Sequence, residues 1–285
     1  QYLTIGNISP QYRKVIEIYF FDKEITFQQA SNKTLLFIKE ILFNFTMLLF
    51  SMISIIFLAL RKKKRVGTYT GDFVYKNTKS DYRLNHLYEK YKENSINYVE
   101  FIRETTISNF FVNIYKRKRP AIYYTSIIYF VNLLTKKTIY RKKPIDFFQS
   151  ILYKYHHKNL VFKRSIPLIE KILKITKINK FVLISFSSRS AHLAMASKAL
   201  NIETIGIMHG LQQKDYAVYE FMESYNERKK IGCDIYGVWS NHYLGYFQKY
   251  SKILNPNEIY YSGLLRPIRN FNSINLFRKI STEKI

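Results

Sequence analysis

The sequence predicts an α/β fold, in which helices flank a Rossmann-like parallel sheet and an apolar helix precedes that sheet. From residue 66 onward, short apolar stretches alternate with helical stretches, which is typical of βαβ units. The stretch Phe181–Phe186 is apolar along almost its whole length, as expected of a strand that is buried on both faces of a parallel sheet. No periodicity favours an all-helical or an all-strand alternative.

The order of the predicted elements supports this fold class. Glycine or proline stands at several of the expected strand boundaries, where a turn is needed. Strands are predicted over residues 66–71, 97–102, 121–126, 181–186, 204–208, 234–240 and 259–262. Helices are predicted over residues 82–93, 168–178, 191–200 and 241–251. The helix at 191–200 is rich in alanine, which permits close packing on a sheet.

A long apolar segment precedes the first strand. Ile41–Leu60 contains no charged residue and is followed at once by the basic cluster Arg61–Arg65. A helix of this length extends about 30 Å, the thickness of the hydrocarbon core of a bilayer. Basic residues beside such a helix suit the anionic, cytoplasmic face of a membrane. We therefore expect membrane association, with the helix either spanning the bilayer or lying in its interface. The alternative is a buried core helix, since Asn44, Thr46, Ser51 and Ser54 dilute the apolar run.

The chain is strongly basic. It has 46 Lys and Arg residues and 20 Asp and Glu residues, which gives a formal net charge of +26. Such a charge favours an anionic partner, which would be nucleic acid, a lipid surface or a phosphorylated substrate. The alternative is a compositional bias toward Lys, Ile, Asn, Tyr and Phe, as expected from an AT-rich genome. Because no helix-turn-helix, zinc-finger or RNP-like pattern occurs, we expect no nucleic acid among the partners.

Cysteine and histidine usage limits the chemistry. Cys233 is the single cysteine, so the chain cannot form an intramolecular disulfide. His156 and His157 form an isolated pair without a cysteine nearby, and the sequence offers no other metal-ligand spacing. We therefore expect neither a metal nor a cofactor.

Two loops are the best candidates for a functional site, because open parallel sheets bind ligands at the carboxyl ends of their strands. In the first loop, Ser187, Ser188 and Arg189 follow a predicted strand and precede a helix. Free backbone N–H groups and the positive end of the helix dipole favour an anion there. The alternative is an ordinary serine N-cap.

The second loop begins with His209 and Gly210, directly after the strand that is predicted over 204–208. An imidazole titrates near neutral pH, so His209 is a candidate to accept a proton from an attacking hydroxyl. Gly210 would allow a sharp turn or a close approach to a ligand. Lys214 would balance phosphate charge. The alternative is a structural histidine whose hydrogen bonds are satisfied within the fold.

Charged residues elsewhere are weaker candidates. Asp81 and Arg83 stand at the start of a predicted helix, where Asp81 would cap the helix or contact a sugar. Glu100 and Glu104 lie near the end of the second predicted strand, either as a base or as surface partners of Lys or Arg. Four further residues lack a placement at the expected crevice, and the histidines among them are expected to be structural: Asp234, His86, His192 and His242.

The second half of the chain has a distinctive order of segments. FVLISF, a serine-rich turn and an alanine-rich helix precede IGIM with His209-Gly210, and DIYGVWS and IYYSG with Arg266-Pro267 follow. This order resembles the acceptor-side, amino-terminal half of GT-B glycosyltransferases that build bacterial surface polysaccharides. Capsule-type transferases and teichoic-acid glycerophosphotransferases share the strand–His-Gly pattern. In the latter, a lysine follows five residues after the histidine, and Lys214 fits that spacing, whereas Leu211-Gln212 replaces the usual Thr-Pro.

The resemblance implies a function and a division into domains. A sugar or a polyol phosphate would move from a nucleotide-activated donor to a lipid-linked saccharide acceptor, at the cytoplasmic face of the bacterial inner membrane. His209 would serve as a general base or stabilise a phosphate. Residues 1–65 would form a membrane-associated segment and residues 66–265 the acceptor-side domain. Residues 266–285 would begin or link to a second Rossmann-like domain with the donor site, so we expect the chain to be a fragment.

Two other functions remain open from the sequence. The net charge and the abundant aromatic residues are also compatible with a basic nucleic-acid-binding protein. A non-catalytic, membrane-associated scaffold would explain the apolar helix and its basic cluster without any catalytic residue.

Overall fold

The computed structural model describes residues 33–72, 74, 81–103, 105–117, 119–139, 147–184, 190–208, 233–250, 255–263 and 265. In this part of the chain, seven strands form one sheet in which every neighbouring pair is parallel. The strands are β1 Arg65–Thr70, β2 Tyr98–Ile102, β3 Ala121–Tyr123, β4 Ile178–Ile184, β5 Glu203–Ile207, β6 Ile235–Val238 and β7 Ile259–Tyr261. Their order is β3-β2-β1-β4-β5-β6-β7, which confirms the predicted Rossmann-like sheet.

Helices cover both faces of the sheet. They are α1 Lys33–Leu60, α2 Asn85–Glu93, α3 Ile107–Arg117, α4 Tyr124–Ile139, α5 Phe147–Ile175, α6 Ala191–Ala199 and α7 Asn241–Tyr250. Along β4, Phe181 and Leu183 belong to the core that α5 and α6 complete, whereas Val182 belongs to the core that α2 completes. This alternation is what a central strand with two buried faces requires.

The third strand is shorter than the sequence predicts. The extended segment expected over 121–126 ends at Tyr123, and α4 begins at the next residue. The Ser126 hydroxyl donates a hydrogen bond to the Tyr123 carbonyl (2.6 Å), which supports the first turn of the helix. The Tyr124 ring is buried edge-on against Tyr69, with 5.8 Å between centroids. Tertiary packing thus overrides the strand preference of these aromatic residues.

The fifth helix is much longer than its predicted segment, 168–178, because it begins at Phe147 and continues through Pro167. It ends at Ile175, three residues before the predicted end. The Thr176 hydroxyl donates to the Ile172 carbonyl (2.6 Å), and Lys177 adopts a positive φ of 54°. A left-handed residue terminates the helix there and leaves Ile178 free to begin β4.

The first helix covers an open edge of the sheet. β3 is an edge strand, and α1 packs along it with contributions to two hydrophobic cores. The Tyr123 backbone N–H donates to the Ser51 hydroxyl oxygen (2.9 Å), and the Ser51 hydroxyl itself donates to the Met47 carbonyl (2.7 Å). Ser51 therefore satisfies a backbone group of the edge strand, and α1 blocks that edge from pairing with another chain.

We expect Ser51→Ala to destabilise the fold by about 1–3 kcal/mol, because the substitution leaves the buried Tyr123 N–H without its acceptor. Urea unfolding followed by circular dichroism measures the change. Thr46→Ala is the matched control. The Thr46 hydroxyl makes the same kind of bond within α1, to the Leu42 carbonyl (2.9 Å), but is exposed. Its loss should change stability by less than about 0.5 kcal/mol. Equal effects of the two substitutions would show that the contact to β3 contributes nothing.

Candidate functional site

The order in which the chain adds parallel strands to the sheet reverses between β1 and β4. From β1 the chain proceeds to β2 and β3 on one side, and from β4 to β5, β6 and β7 on the other. In open parallel sheets, ligands bind in the crevice outside the carboxyl ends of the two strands at such a switch point. Strands lie about 4.8 Å apart, so the ends of β1, β4 and β5 span about 10 Å, the size of one sugar ring or phosphate group with its contacts.

Most of the loop residues that the sequence selects lie outside the described residues. These are Ser187, Ser188, Arg189, His209, Gly210, Lys214 and Glu104. The strands that precede the two loops are described. β4 ends at Ile184, and β5 ends at Ile207. Met208 is buried, and its N–H donates to the Gly237 carbonyl (2.9 Å). The chain therefore reaches the carboxyl edge at the two predicted positions.

A buried cluster of charged residues lies at the carboxyl end of β1. Arg117, near the end of α3, donates from Nε to Glu100 Oε2 (2.8 Å) and pairs through Nη1 with Asp72 Oδ1. The Thr105 hydroxyl also donates to the Asp72 carboxylate, and the Asn113 amide donates to the Asp72 carbonyl (3.3 Å). The side chains of Arg117 and Asp72 are each only 1% exposed. The pair is thus fully withdrawn from water.

Asp81 joins this cluster to the segment that follows β1. Its carboxylate accepts from the Thr70 hydroxyl, from the Gly71 N–H (3.2 Å) and from Arg83, whose Nη2 lies 2.6 Å away. It also accepts from the Arg83 backbone N–H (2.9 Å), so the predicted helix-capping role is confirmed. The Asp81 backbone N–H donates to Glu100 Oε1 (3.0 Å). Gly71 and Asp81 are therefore both held at the edge of the sheet.

Asp81 and Arg83 are also predicted substrate contacts, and their exposure differs. The Asp81 side chain is completely buried, whereas the Arg83 side chain is 16% exposed. Arg83 is therefore the member of this pair that a ligand in the crevice can reach. Contact of either residue with a substrate stays a prediction.

Tyr88 extends the cluster from α2. Its hydroxyl donates to Glu100 Oε1 (3.1 Å) and lies 3.2 Å from the Thr68 hydroxyl. Burial, with the nearby carboxylates of Glu100 and Asp81, raises the pKa of Tyr88 well above its usual range. The phenol therefore stays protonated and remains a hydrogen-bond donor.

Arg117 stays charged despite its burial. Desolvation by itself lowers the pKa of Arg117, but the carboxylates of Glu100 and Asp72 outweigh it, and the net direction is upward. A permanent positive charge between two carboxylates keeps them from repelling each other in a medium of low dielectric.

The hydrogen bonding of the carboxylates indicates what the cluster does. All six carboxylate oxygens of Asp72, Asp81 and Glu100 accept at least one hydrogen bond or ion pair from the residues described above. A general base must direct an oxygen toward the proton of a substrate. Because these oxygens are already occupied, the carboxylates of Asp72, Asp81 and Glu100 are better suited to holding the local structure in place, as a brace, than to accepting a substrate proton. One interpretation of Glu100 expects an ion pair with Lys or Arg on the surface. Glu100 does form an ion pair, with Arg117, but in the protein interior.

Sequence reasoning misses most of this cluster. Asp72 follows directly after Gly71 at the end of a predicted strand, which is a usable signal for a residue at the crevice. Arg117 lies in a basic run, residues 116–119, that is typical of a solvated surface. Asp72 and Arg117 are 45 positions apart in the chain, and no local pattern connects them.

The weaker candidates Asp234, His192 and His86 make contacts within the fold. Asp234 accepts from the backbone N–H (2.8 Å) and the hydroxyl (2.7 Å) of Thr204, at the amino ends of β5 and β6. His192, in the first turn of α6, lies against Phe162 with 4.4 Å between ring centroids. His86 pairs with Glu89 on the surface of α2 (3.0 Å), and His242 is exposed on α7.

Comparison with known proteins gives little further information. No protein-family model and no curated protein matches the chain. Among solved structures, the chain is similar to one described as "Crystal Structure of Glycosyltransferase from Rickettsia africae ESF-5". The identity is 12%, the TM-score is 0.41, and the match covers 78% of this chain and 50% of that one. The chain therefore spans about half of the matched structure, and a similarity at this level carries no functional argument.

Arg117→Met should destabilise the protein by about 3–5 kcal/mol, because it leaves the carboxylates of Asp72 and Glu100 buried without their counter-charge. Lys116→Met is the control, since it removes a charge from the same helix outside the cluster. It should change stability by less than about 0.5 kcal/mol. Urea unfolding of both variants provides the comparison. Similar stabilities of the two variants would contradict a bracing role for Arg117.

His192 should make the fold sensitive to acid. Burial lowers the pKa of His192 to about 4. In the unfolded chain the imidazole binds its proton near pH 6.5. Between these values the unfolded state binds more protons, so stability falls as the pH falls from about 6.5 toward 4. The total loss from this group is up to about 3 kcal/mol.

His192→Phe keeps a ring beside Phe162 and removes the titrating group. We expect this variant to lose less unfolding free energy than the native protein between pH 7 and pH 4.5, as measured by urea unfolding at each pH. His242→Phe, at an exposed position, should leave the pH dependence unchanged. Parallel stability curves for His192→Phe and the native protein would show that His192 is protonated freely in the fold.

Proposed function

We propose that the chain is part of a glycosyltransferase, or of a polyol-phosphate transferase, that builds bacterial cell-surface polysaccharide. The observation that carries the proposal is the switch point between β1 and β4. Gly71 and the buried Asp81 follow β1 there, the Ser187–Arg189 sequence comes after β4, and His209-Gly210 comes after β5. A fold of this kind hosts many reactions, so the specific assignment depends on the residues of these loops and on the resemblance they carry.

The proposed reaction needs a base and a stabilised leaving group. An acceptor hydroxyl attacks the anomeric carbon of the donor sugar, or the phosphorus of an activated polyol phosphate. The hydroxyl proton passes to His209 as the new bond forms. The bond from the reacting centre to the nucleotide breaks, and the nucleotide leaves with the electron pair of that bond. Arg189 and Lys214 would offset the negative charge of the phosphates, which the Ser187 and Ser188 hydroxyls would also contact.

The brace supports the binding of the acceptor in this proposal. Asp81 and Glu100 hold Gly71 and Asp81, respectively, at the edge of the sheet, which would keep this side of the crevice in place for the acceptor. Arg83, the partly exposed member of the cluster, would donate to hydroxyls of the acceptor saccharide. The nucleotide-activated donor would bind mainly to a second Rossmann-like domain of the kind that the resemblance implies.

A lipid-linked acceptor places the enzyme at a membrane, and nucleotide-activated donors place the reaction at its cytoplasmic face. The basic cluster Arg61–Arg65 supports this location, since cytoplasmic leaflets carry anionic lipids. Arg61, Lys62, Lys63 and Lys64 are all exposed. We therefore propose the cytoplasmic face of the bacterial inner membrane as the site of action.

His209→Ala in the full-length protein should lower transfer at least 100-fold, because removal of a general base commonly costs a factor of 10²–10⁴. Transfer of radiolabel from nucleotide-activated donors to lipid extracts of the host membrane measures the activity. The thermal unfolding curve should not change. His242→Ala removes an exposed histidine of α7 and should retain full transfer. Turnover by His209→Ala within twofold of the native rate would make His209 a structural residue.

A further inference from the structure

The two faces of α1 differ in an unusual way. Within the uncharged run 41–60, the buried face contains three of the four polar residues, since Asn44, Ser51 and Ser54 are each at most 9% exposed, whereas Thr46 is exposed. The opposite face carries ten large apolar side chains that are between 39% and 78% exposed: Phe37, Ile38, Leu42, Phe45, Leu49, Met52, Ile53, Ile56, Phe57 and Leu60. A surface helix of a water-soluble protein has the reverse pattern, with its polar residues outward.

The exposed apolar face is large and continues beyond α1. Ten half-exposed side chains present on the order of 1,000 Å², whereas the largest apolar patch of a typical soluble monomer is roughly 300–600 Å². The buried Phe110 ring of α3 packs edge-on against Phe43 (5.7 Å) and Phe50 (6.0 Å) of α1. Next to it on α3, four more apolar or aromatic side chains are at least half exposed: Ile107, Phe111, Val112 and Tyr115.

By length and composition, Phe37–Leu60 is the one helix of the described residues that is able to cross a membrane. Its packing argues against crossing. Met47, Ser51, Ile55 and Leu58 are buried against the α/β domain over about 16 Å of the helix axis. A spanning helix would carry β3 and the charged cluster beside it into the hydrocarbon, where polar groups cost several kcal/mol each.

The charged residues that follow α1 indicate which kind of surface its exposed apolar face binds. The helix ends in four exposed basic residues, Arg61–Lys64, and the guanidinium of Arg61 lies over the Phe57 ring, 4.1 Å from its centroid. Cations that border an apolar helix face lie at the level of anionic lipid headgroups when the helix lies in the membrane plane. A protein partner would need an apolar groove with an acidic rim, whereas a bilayer with anionic lipids offers both features everywhere.

We propose that α1 is an in-plane membrane helix. Its exposed face enters the headgroup and upper acyl region of an anionic bilayer, its buried face stays on the sheet, and residues 61–64 contact the headgroups. This deepens the membrane part of the proposed function but does not depend on which group is transferred. The carboxyl edge of the sheet, with the Asp72–Arg117 pair, then stands close to the membrane surface without entering it.

Depth-dependent quenching tests this topology. Cys233 is the chain's single cysteine and is buried, so Cys233→Ala provides a background for single labels at Leu42→Cys, Ile53→Cys and Leu60→Cys. Lys92→Cys, at an exposed position of α2, is the control that should remain in water. The 285-residue chain, with a fluorescent label on its one introduced thiol, binds vesicles of phosphatidylglycerol and phosphatidylcholine. Brominated lipids with bromine at two acyl positions then report the depth of each label.

We expect the three labels on α1 to lie at the same shallow depth, about 5–10 Å into the membrane, and the Lys92→Cys label to show no quenching. Leu42 and Leu60 are about 27 Å apart along a helix axis. Labels at opposite faces of the bilayer with the Ile53→Cys label at its centre would overturn the proposal in favour of a spanning helix. Absence of vesicle binding, together with a dimer in size-exclusion chromatography with light scattering, would overturn it in favour of self-association.

A charge on the exposed face separates this inference from the proposed reaction. Ile53→Glu should weaken flotation with anionic vesicles at least tenfold, whereas Asn241→Glu, which adds the same charge at an exposed position of α7, should weaken it less than threefold. Transfer to a water-soluble acceptor should be equal in both variants. Unchanged flotation of Ile53→Glu would refute the membrane face and leave the reaction untouched. Loss of transfer in His209→Ala with full flotation would support the reaction alone.

Discussion

The ion pairs of Arg117 with Asp72 and Glu100 are the interaction on which the carboxyl edge of the sheet depends. They connect the end of α3, the segment after β1 and the middle of β2 at one buried point. Withdrawing these charges from water costs several kcal/mol per ion, and attraction within the cluster offsets this only when the remaining oxygens are also hydrogen-bonded. That condition is met for the carboxylates, because neighbouring hydroxyls, backbone N–H groups and Arg83 satisfy their other oxygens, whereas Arg117 Nη2 has no hydrogen-bond partner among the described residues. An apolar core would stabilise the fold as well, but it would not define the direction of the loop that leaves β1.

The same cluster links the carboxyl edge of the sheet to α1. Tyr123 lies between them. Its backbone is held by Ser51 of α1, and its ring packs against Phe50 (5.9 Å) and Phe110 (4.8 Å). Burial and the nearby Asp72 raise the pKa of Tyr123, so its phenol stays neutral beside the cluster. α1 therefore packs against the residues that support the candidate site, and in the proposed in-plane arrangement the orientation of α1 would also orient the crevice.

Much of the fold can be predicted from the sequence because it depends on local patterns of apolar residues. A buried parallel strand such as Phe181–Phe186 needs apolar residues on both faces, and this requirement shows as an uninterrupted run. Seven strands are found close to their predicted positions for this reason. Strand ends also point to a crevice, which brings Asp72 and Asp81 into the region that the sequence selects. The brace itself was not predictable, since the Glu100–Arg117 pair joins residues whose local surroundings resemble an ordinary strand and an ordinary basic surface. The predicted secondary structure is wrong where tertiary packing opposes the local preference. At Tyr124, for example, a helix begins within a stretch that favours a strand.

For the apolar helix α1, hydropathy alone does not determine the environment of the helix, and the three-dimensional structure is needed. A count of apolar residues in Ile41–Leu60 describes a spanning helix, an in-plane helix and a core helix equally well. Four polar residues in that run weaken the membrane signal when only composition is considered. The structure changes this interpretation for three of them, because Asn44, Ser51 and Ser54 are covered by the protein, and the face that remains is apolar except at Thr46. The deciding contact, from Tyr123 to Ser51, joins residues 72 positions apart. A helix that packs along the edge of a sheet has only its outer face available to lipid, and for this reason the proposed arrangement is an in-plane helix and not a spanning one.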